Sequence, residues 1–244
     1  MKYGLVTGGS KGIGLAISQV LLQHDYFVII NYASDQENAT KTEKQLNNLF
    51  GNRFAMIKQP LEEAKDVDVF IKICKENGLL ANGLDAVILN AGCTDRTCWR
   101  ELTWESWMHV MNVNINAPAA LLRAADPYIN PNAGVLFISS DMSVYPHATS
   151  VPYTVSKSAV NGLTKALVKE YSEKKIRVNA LLPGFVETPW QKNKPEDQKK
   201  RICDKVALHR FAEPEEIAEV AWNVLSSTYI NGALIQVDGG YCYR

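Results

Sequence analysis

The sequence predicts an α/β protein: a doubly wound parallel sheet of seven strands, with helices on both faces, in a single domain. Short apolar runs of strand length alternate with helix-length segments along the whole chain. Runs such as YFVIINY at 26–32 are apolar on both faces, as strands covered by helices on each side must be. No linker, internal repeat or low-complexity stretch divides the 244 residues, and one large α/β domain fills this length.

The predicted elements follow one another in a regular order. The strand-like segments lie at 3–7, 26–32, 53–58, 84–92, 134–140, 176–184 and 233–240. The predicted helices lie at 12–24, 35–50, 66–77, 104–126, 152–174 and 214–226. They are identified by apolar residues at helical spacing or by their length between two strands. This alternation indicates parallel strands joined by crossover helices. A charged, proline-containing segment at 184–212 interrupts it, and we interpret that segment as a lid over a substrate site.

Composition excludes several classes of function. Lys+Arg and Asp+Glu both number 26, so charge gives no reason to expect a nucleic acid or an anionic membrane as partner. No apolar run approaches the roughly 18 residues of a transmembrane helix, and the N-terminus is not typical of a signal peptide. Five cysteines without paired spacing fit a reducing cytoplasm, and four scattered histidines predict no structural metal.

Glycines cluster between the first predicted strand and the first predicted helix. The stretch TGGSKGIG occupies residues 7–14. Gly8 would permit a tight turn, Gly12 would let a pyrophosphate approach the backbone, and Gly14 would let the helix pack closely. A helix N-terminus also attracts phosphate through its free N–H groups. The alternative is a turn with close packing and no ligand.

A tyrosine and a lysine occur four residues apart at the start of a long predicted helix. Tyr153 and Lys157 therefore share one face, and Ser140 ends a strand thirteen residues upstream. Because a phenol has a pKa of about 10, it needs a neighbouring ammonium to lower that pKa. We expect Lys157 to do this, Tyr153 to exchange a proton with a carbonyl or alcohol oxygen, and Ser140 to hydrogen-bond that oxygen. The alternative is a pair of surface residues without a function.

Seven stretches in one order resemble the short-chain dehydrogenase/reductase family. They are TGGSKGIG (7–14), NAG (90–92), WMHVMNVN (107–114), ISS (138–140), YTVSK (153–157), PGFVETP (183–189) and VDGG (237–240). The resemblance implies a Rossmann-type fold and an oxidoreductase that interconverts a ketone and a secondary alcohol with hydride from a nicotinamide. It implies four catalytic residues: Asn114, Ser140, Tyr153 and Lys157. The family spacing to the tyrosine selects Ser140 rather than its neighbour Ser139.

The resemblance also implies the cofactor-binding set. Its members are Gly8, Ser10, Lys11, Gly12, Ile13, Gly14, Tyr32, Ser34, Asn90, Ala91, Gly92, Tyr153, Lys157, Pro183, Gly184, Val186 and Thr188. Relatives that prefer NAD carry Asp where this chain has Tyr32, and relatives that prefer NADP often carry a basic residue where it has Lys11. We therefore predict NADP(H), with about a tenfold preference from one charge-assisted hydrogen bond. The family often has an Asp after the third strand, near the adenine amine. In this chain Pro60 stands at or beside that position, so the resemblance does not supply this contact.

Within the family the chain looks most like 3-oxoacyl-[acyl-carrier-protein] reductases, through NAGCTDRT and PEDQKKRI. The segment DPYINPNAG lacks the basic residues that dock an acidic carrier protein, and Lys174 and Lys175 supply only part of such a patch. A free small ketone, sugar or steroid alcohol is the alternative substrate. A non-catalytic dinucleotide-binding sensor is the second alternative. The predicted substrate residues are Asp141, Met142, Tyr145, His147, Phe185 and Trp190. The resemblance further implies a homotetramer.

Overall fold

The computed structural model describes residues 1–146, 150–192 and 194–243. Within these residues one sheet of seven parallel strands has the order β3-β2-β1-β4-β5-β6-β7. The strands are β1 Lys2–Val6, β2 Tyr26–Tyr32, β3 Phe54–Lys58, β4 Leu84–Leu89, β5 Ile129–Ile138, β6 Arg177–Pro183 and β7 Leu234–Val237. The predicted fold class is thereby confirmed.

Eight α-helices connect and cover the strands in the described part of the chain. They are α1 Gly12–Gln23, α2 Gln36–Phe50, α3 Ala64–Glu76, α4 Trp104–Met111, α5 Ala117–Ala125, α6 Val151–Glu170, α7 Glu196–Cys203 and α8 Pro214–Ser226. None of these helices combines the length and the apolar character that a bilayer crossing requires. The segment at 184–212 contains α7 and a short 3-10 turn, Pro189–Gln191, and a bridge between Val186 and Ala212 joins its two ends.

The sheet separates two apolar layers, and alternate residues of each central strand enter opposite layers. Leu5 of β1 belongs to the same apolar layer as Phe70 of α3 and Leu121 of α5, whereas the next residue, Val6, belongs to the layer that contains Ile17 of α1 and Ala221 of α8. Strands that are buried on both faces in this way have nearly continuous apolar sequences, which is why they could be predicted. The helices therefore cover the sheet on both faces.

The strand order reverses at the centre of the sheet. The chain builds outward from β1 through β2 to β3, and then returns to place β4 on the other side of β1. Loops leaving the carboxyl ends of β1 and β4 diverge at such a point and leave a crevice between them, where ligands bind in open α/β sheets. The glycine stretch after β1 and the NAG stretch after β4 both lie at this crevice.

A π-helical turn breaks the helix that the sequence predicts as continuous over 104–126. Residues Asn112–Asn116 adopt this turn between α4 and α5. Pro118 supplies a cause, because it has no N–H to donate to the carbonyl of Asn114, its partner in an α-helix. Turns of this kind are rare in proteins, and those that do occur often lie at functional sites. Here the turn carries Asn114 on its inner face, which is buried.

Candidate active site

The glycine loop has the conformation that its sequence requires. Gly8 and Gly12 have φ values of +63° and +54°, in the left-handed region that favours glycine. A Cβ on Gly14 would lie 2.3 Å from the carbonyl oxygen of Gly8, so α1 approaches the loop as only a glycine allows. The side-chain N–H groups of Asn90 donate to the carbonyls of Thr7 (3.0 Å) and Gly8 (3.1 Å). Asn90 thus fixes the loop from the end of β4.

A cleft of about 430 Å³ runs along the carboxyl edge of the sheet, from the glycine loop to the start of α6. This volume lies in the range of small-molecule sites, roughly 300–1,000 Å³. Most of the predicted site residues line it. They are Gly8, Ser10, Lys11, Gly12, Ile13, Tyr32, Ser34, Asn90, Ala91, Gly92, Ser140, Tyr153, Lys157, Pro183, Gly184, Val186, Thr188 and Trp190.

Tyr153, Ser140 and Lys157 meet at one end of this cleft. Tyr153 and Lys157 lie in the first two turns of α6, and Ser140 follows β5. A side-chain hydrogen bond joins Ser140 and Tyr153. Lys157 is 4% exposed, and its ammonium donates to the carbonyl of Ile138 at 2.7 Å and lies 5.7 Å from the centroid of the Tyr153 ring. A phenol, a hydroxyl and an ammonium therefore face one small space.

Burial dominates the ionisation of this group. It raises the pKa of the Tyr153 phenol, although the hydrogen bond with Ser140 opposes the shift. Burial also lowers the pKa of Lys157 to about 8. The predicted lowering of the Tyr153 pKa by Lys157 is therefore not the net effect in this structure. The reason is that desolvation disfavours both charged forms, and the Lys157 ammonium donates to a backbone carbonyl instead of the phenol.

Asn114 lies behind the cleft wall rather than on its surface, and it is 1% exposed. Its Oδ1 accepts from the N–H of Cys93 (2.8 Å), and its Nδ2 donates to the Cys93 carbonyl (2.9 Å) and to Ser156 Oγ (2.9 Å). A Cβ on Gly92 would lie 3.2 Å from Asn114 Oδ1 and 3.5 Å from Lys157 Nζ. Asn114 therefore fixes the backbone after β4 against α6.

Of the five predicted substrate residues that the structure describes, only Trp190 lines the cleft, and its ring centroid is 6.2 Å from that of Tyr153. Asp141 and Met142 are buried because a 3-10 turn capped by Ser140 turns the chain inward, where Asp141 accepts from Gln236 Nε2 at 3.2 Å. Tyr145 is 40% exposed at the surface. None of these three residues lines the cleft, and their contact with a substrate stays a prediction.

Phe185 and His147 complete that predicted set. The Phe185 ring packs against Phe211 and Tyr241, with centroids 5.3 Å apart in each pair, so it does not line the cleft. His147 lies outside the described residues. For Asp141, Met142, Tyr145 and Phe185, proximity to strand ends in the sequence did not indicate whether the side chain lines the cleft.

An ion pair that the sequence analysis missed lines the cleft at the end of β2. Lys11 Nζ lies 2.6 Å from Asp35 Oδ2, and both residues belong to the cleft wall. Tyr32 ends the strand in place of the acidic residue of NAD-preferring relatives, but a carboxylate is still present nearby, because Asp35 follows three residues later as the N-cap of α2. The stretch SDQEN, an acidic residue directly before a helix, was the available signal.

Further residues missed by the sequence analysis line the cleft on the side of β3 and α4. Leu61, Glu62, His109 and Val113 lie there, and Glu62 Oε2 is 3.8 Å from His109 Nδ1. Glu62 follows two residues after Pro60, so a carboxylate is present near the position where Pro60 appeared to remove one. In the described part of the chain no group of three or more His, Cys, Asp or Glu side chains could hold a metal ion.

A dinucleotide fits the residues present. The left-handed Gly8 and Gly12 contribute no side chain to the loop, no side chain caps α1, and its first turn contains no acidic residue. An anion at this helix N-terminus would therefore meet free N–H groups and a favourable dipole. The cleft then continues to Tyr153 and Lys157, at the opposite end from Lys11 and Asp35.

Comparisons with known proteins find similarity to reductases and dehydrogenases. The sequence model of a family described as enoyl-(acyl carrier protein) reductase matches residues 8–242. The chain is 31% identical over 243 residues to the 3-oxoacyl-[acyl-carrier-protein] reductase FabG of Thermotoga maritima, covering 98% of this chain and 97% of that protein. It is 32% identical over 255 residues to glucose 1-dehydrogenase 2 of Bacillus subtilis, covering 98% and 94%.

A solved structure agrees in shape over the whole chain. It is a short-chain dehydrogenase from Burkholderia cenocepacia in complex with NADP, with a TM-score of 0.90 and 25% identity, covering 99% of this chain and 98% of that one. Together the fold and the cleft define an oxidoreductase that uses a nicotinamide dinucleotide. The chain belongs to the short-chain dehydrogenase/reductase family, whose reactions interconvert CH–OH and C=O groups.

Proposed function

We propose that this protein reduces a ketone, a 3-oxoacyl thioester, to a secondary alcohol with NADPH. The observation that carries the proposal is the meeting of Tyr153, Ser140 and Lys157 at one end of a cleft whose other end is the glycine loop. When bound, the nicotinamide supplies the hydride. The non-catalytic sensor is disfavoured because all four catalytic positions are filled.

This chain's own residues would bind the dinucleotide and handle the proton. The glycine loop and the start of α1 would hold the diphosphate, and Asn90 would keep the loop in place. The Tyr153 phenol, protonated because its pKa is raised, would donate its proton to the substrate oxygen. Ser140 would hydrogen-bond the same oxygen as negative charge develops there. The Lys157 ammonium would favour the phenolate left after transfer.

The substrate class rests on likeness and on the lid. The Thermotoga maritima relative is named for 3-oxoacyl-[acyl-carrier-protein] reduction, and segment 184–212 would act as the lid over an acyl chain, with Trp190 beside Tyr153. One observation favours a free small ketone or sugar instead. Lys174, half of the possible carrier-docking patch, already donates to the carbonyl (2.9 Å) and carboxylate (3.2 Å) of Asp126.

Initial rates with NADPH and a set of ketones test the substrate class. The set contains a 3-oxoacyl thioester on acyl carrier protein, the same acyl group on a short pantetheine thiol, and free ketones, sugars and steroids. We expect the thioesters to give the largest kcat/KM. A larger value for a free ketone or sugar contradicts the thioester proposal, and a carrier substrate no better than the short thioester contradicts docking of the carrier protein.

We expect NADPH to be preferred to NADH about tenfold in kcat/KM with one shared ketone. A charge-assisted bond from Lys11 to the 2′-phosphate is worth roughly 1.5–3 kcal/mol, and the low end of this range corresponds to about tenfold. Tyr32 would lie beside the ribose without repelling the phosphate. Lys11→Ala should remove the preference by removing the attraction, and Tyr32→Asp should reverse it by adding repulsion. Equal wild-type values for the two cofactors would contradict the assignment of both residues.

The rate should fall as pH rises through about 8, the pKa of Lys157. The ammonium is the assisting form, and the raised pKa of Tyr153 keeps the phenol protonated in this range. The measurement is kcat/KM for the dinucleotide against pH, which reports groups of the free enzyme. A profile that stays flat well above that pH would show that Lys157 is not required as a cation.

The lowered pKa of Lys157 should also make the free energy of unfolding depend on pH. Because the folded-state pKa of Lys157 lies below its unfolded value of about 10.4, the folded form binds fewer protons between the two values. The free energy of unfolding of the wild type, relative to Lys157→Met, should therefore rise as pH increases from about 8 toward 10. A relative stability that falls over this range would contradict the shift.

We further propose that the protein acts as a cytoplasmic homotetramer. The exposed aromatic residues support association: Trp104, the first residue of α4, is 73% exposed, and Trp99, in the turn before α4, is 64% exposed. Indole rings left in water are costly in a monomer. Trp107 stacks parallel to Trp104, with centroids 6.1 Å apart, and this aromatic surface would be covered by a second copy.

A further inference from the structure

A carboxylate already holds the ammonium assigned to the cofactor phosphate. Lys11 Nζ and Asp35 Oδ2 are 2.6 Å apart, and both side chains line the cleft between the glycine loop and the end of β2. Both are partly exposed, with 47% of the Lys11 side chain and 32% of the Asp35 side chain accessible. The pair is therefore within reach of a ligand in the cleft.

Asp35 is the fixed member of the pair. As the N-cap of α2, its Oδ1 accepts from the N–H of Asn38 at 3.2 Å, and its Oδ2 accepts from Asn38 Nδ2 at 2.7 Å. Hydrogen bonds from Lys11 and Asn38 lower its pKa to about 2, so the carboxylate is ionised throughout the range in which enzymes work. Lys11 is held through its side-chain nitrogen alone and can turn toward another anion.

We propose that Asp35 is a specificity-determining residue that weakens selection for the 2′-phosphate of NADP. The proposal rests on the proposed use of a nicotinamide dinucleotide. A 2′-phosphate, with about two negative charges, must compete with Asp35 for Lys11 and is repelled by the same carboxylate. A ribose without that phosphate instead offers hydroxyl donors that a carboxylate accepts. Asp35 thus keeps the NADPH preference small and NADH usable.

Direct binding of two nucleotides tests this without any ketone. Adenosine 2′,5′-bisphosphate and adenosine 5′-monophosphate differ only in the 2′-phosphate, and titration calorimetry gives their Kd values. In Asp35→Asn the N-cap acceptor is retained while the charge is lost. We expect this variant to bind the bisphosphate about tenfold more tightly, because Lys11 is no longer shared with Asp35 and can bond the phosphate at full strength, and to bind the monophosphate equally or less tightly.

Two further variants locate the effect. Glu37→Gln is the matched control: it removes a carboxylate in the first turn of the same helix, which is also paired with a lysine, Lys41, at 2.6 Å. Glu37 does not line the cleft, so both Kd values should stay as in the wild type. In the double variant Lys11→Ala with Asp35→Asn, the tighter bisphosphate binding should disappear, because the ammonium that it uses is absent.

Unchanged bisphosphate binding in Asp35→Asn would overturn the proposal, and so would an equal change for both nucleotides. Asp35→Ser, which also retains an N-cap oxygen, gives the same test if the first variant folds poorly. Failure of the proposed function would appear differently, as absent ketone reduction by a protein that still binds both nucleotides. In either case the ratio of the two Kd values decides the role of Asp35.

Discussion

Tyr153→Phe is expected to lower kcat by about 10²–10⁴-fold, the usual contribution of general acid–base catalysis, and to leave the dinucleotide Kd close to the wild-type value. The phenol oxygen is the group placed beside Ser140, at the end of the cleft away from the glycine loop. Phenylalanine keeps the ring that packs near Trp190 and removes only that oxygen. The reaction therefore loses its proton donor while the binding surface remains.

Single-turnover rates and calorimetric titration of the dinucleotide measure the two effects separately. Tyr171→Phe is the matched control, since Tyr171 lies at the other end of α6, is also buried, and has a pKa raised to about 12 by burial. It should keep wild-type turnover. A Tyr153→Phe enzyme with more than about a tenth of the wild-type rate would exclude Tyr153 as the proton donor, given the size of acid catalysis.

Gly14→Ala is expected to abolish measurable dinucleotide binding and to destabilise the fold by about 1–3 kcal/mol, the usual cost of overpacking. The new Cβ would lie 2.3 Å from Gly8 O and 2.5 Å from Asn90 Nδ2. Neither atom can yield cheaply, because one is backbone and the other is engaged with that backbone at 3.1 Å. Relief requires α1 to move away from the loop, which opens the phosphate cradle.

Thermal unfolding and a dinucleotide titration check this result. Gly162→Ala in the middle of α6 makes the same chemical change where no atom lies within 4 Å of the added Cβ. That control should keep the wild-type Kd and gain roughly 0.5–1 kcal/mol of helix stability. Wild-type binding by Gly14→Ala would mean that the close approach of α1 to the loop is unimportant for the ligand.

Strand positions could be predicted from the sequence because the sheet is buried on both faces. Runs such as residues 26–32 have few polar interruptions, and β2 indeed spans Tyr26–Tyr32. Where solvent or a local constraint intervened, prediction was less accurate. β5 begins at Ile129, within the polar segment INPN that gave no strand signal. The break at Asn112–Asn116 was missed because apolar spacing continues through it.

For the candidate site, positions were more predictable than orientations and charges. Residues of the glycine loop and directly after β4, such as Gly12 and Asn90, line the cleft as predicted. Asp141 does not, since a single 3-10 turn reverses its direction. The net ionisation of Tyr153 depends on desolvation, a property of the assembled interior that spacing along the chain cannot reveal.

The reversal of strand order has a consequence for how the chain folds during synthesis. β1 binds β4 through contacts between residues 81 apart, such as Thr7 and Ile88. Until β4 leaves the ribosome, one edge of β1 is an unpaired template, flanked by two apolar faces. Closing so long a loop costs chain entropy, and non-local strand pairs of this kind form slowly. We therefore expect this edge of β1 to be an aggregation hazard for the nascent chain until β4 pairs with it.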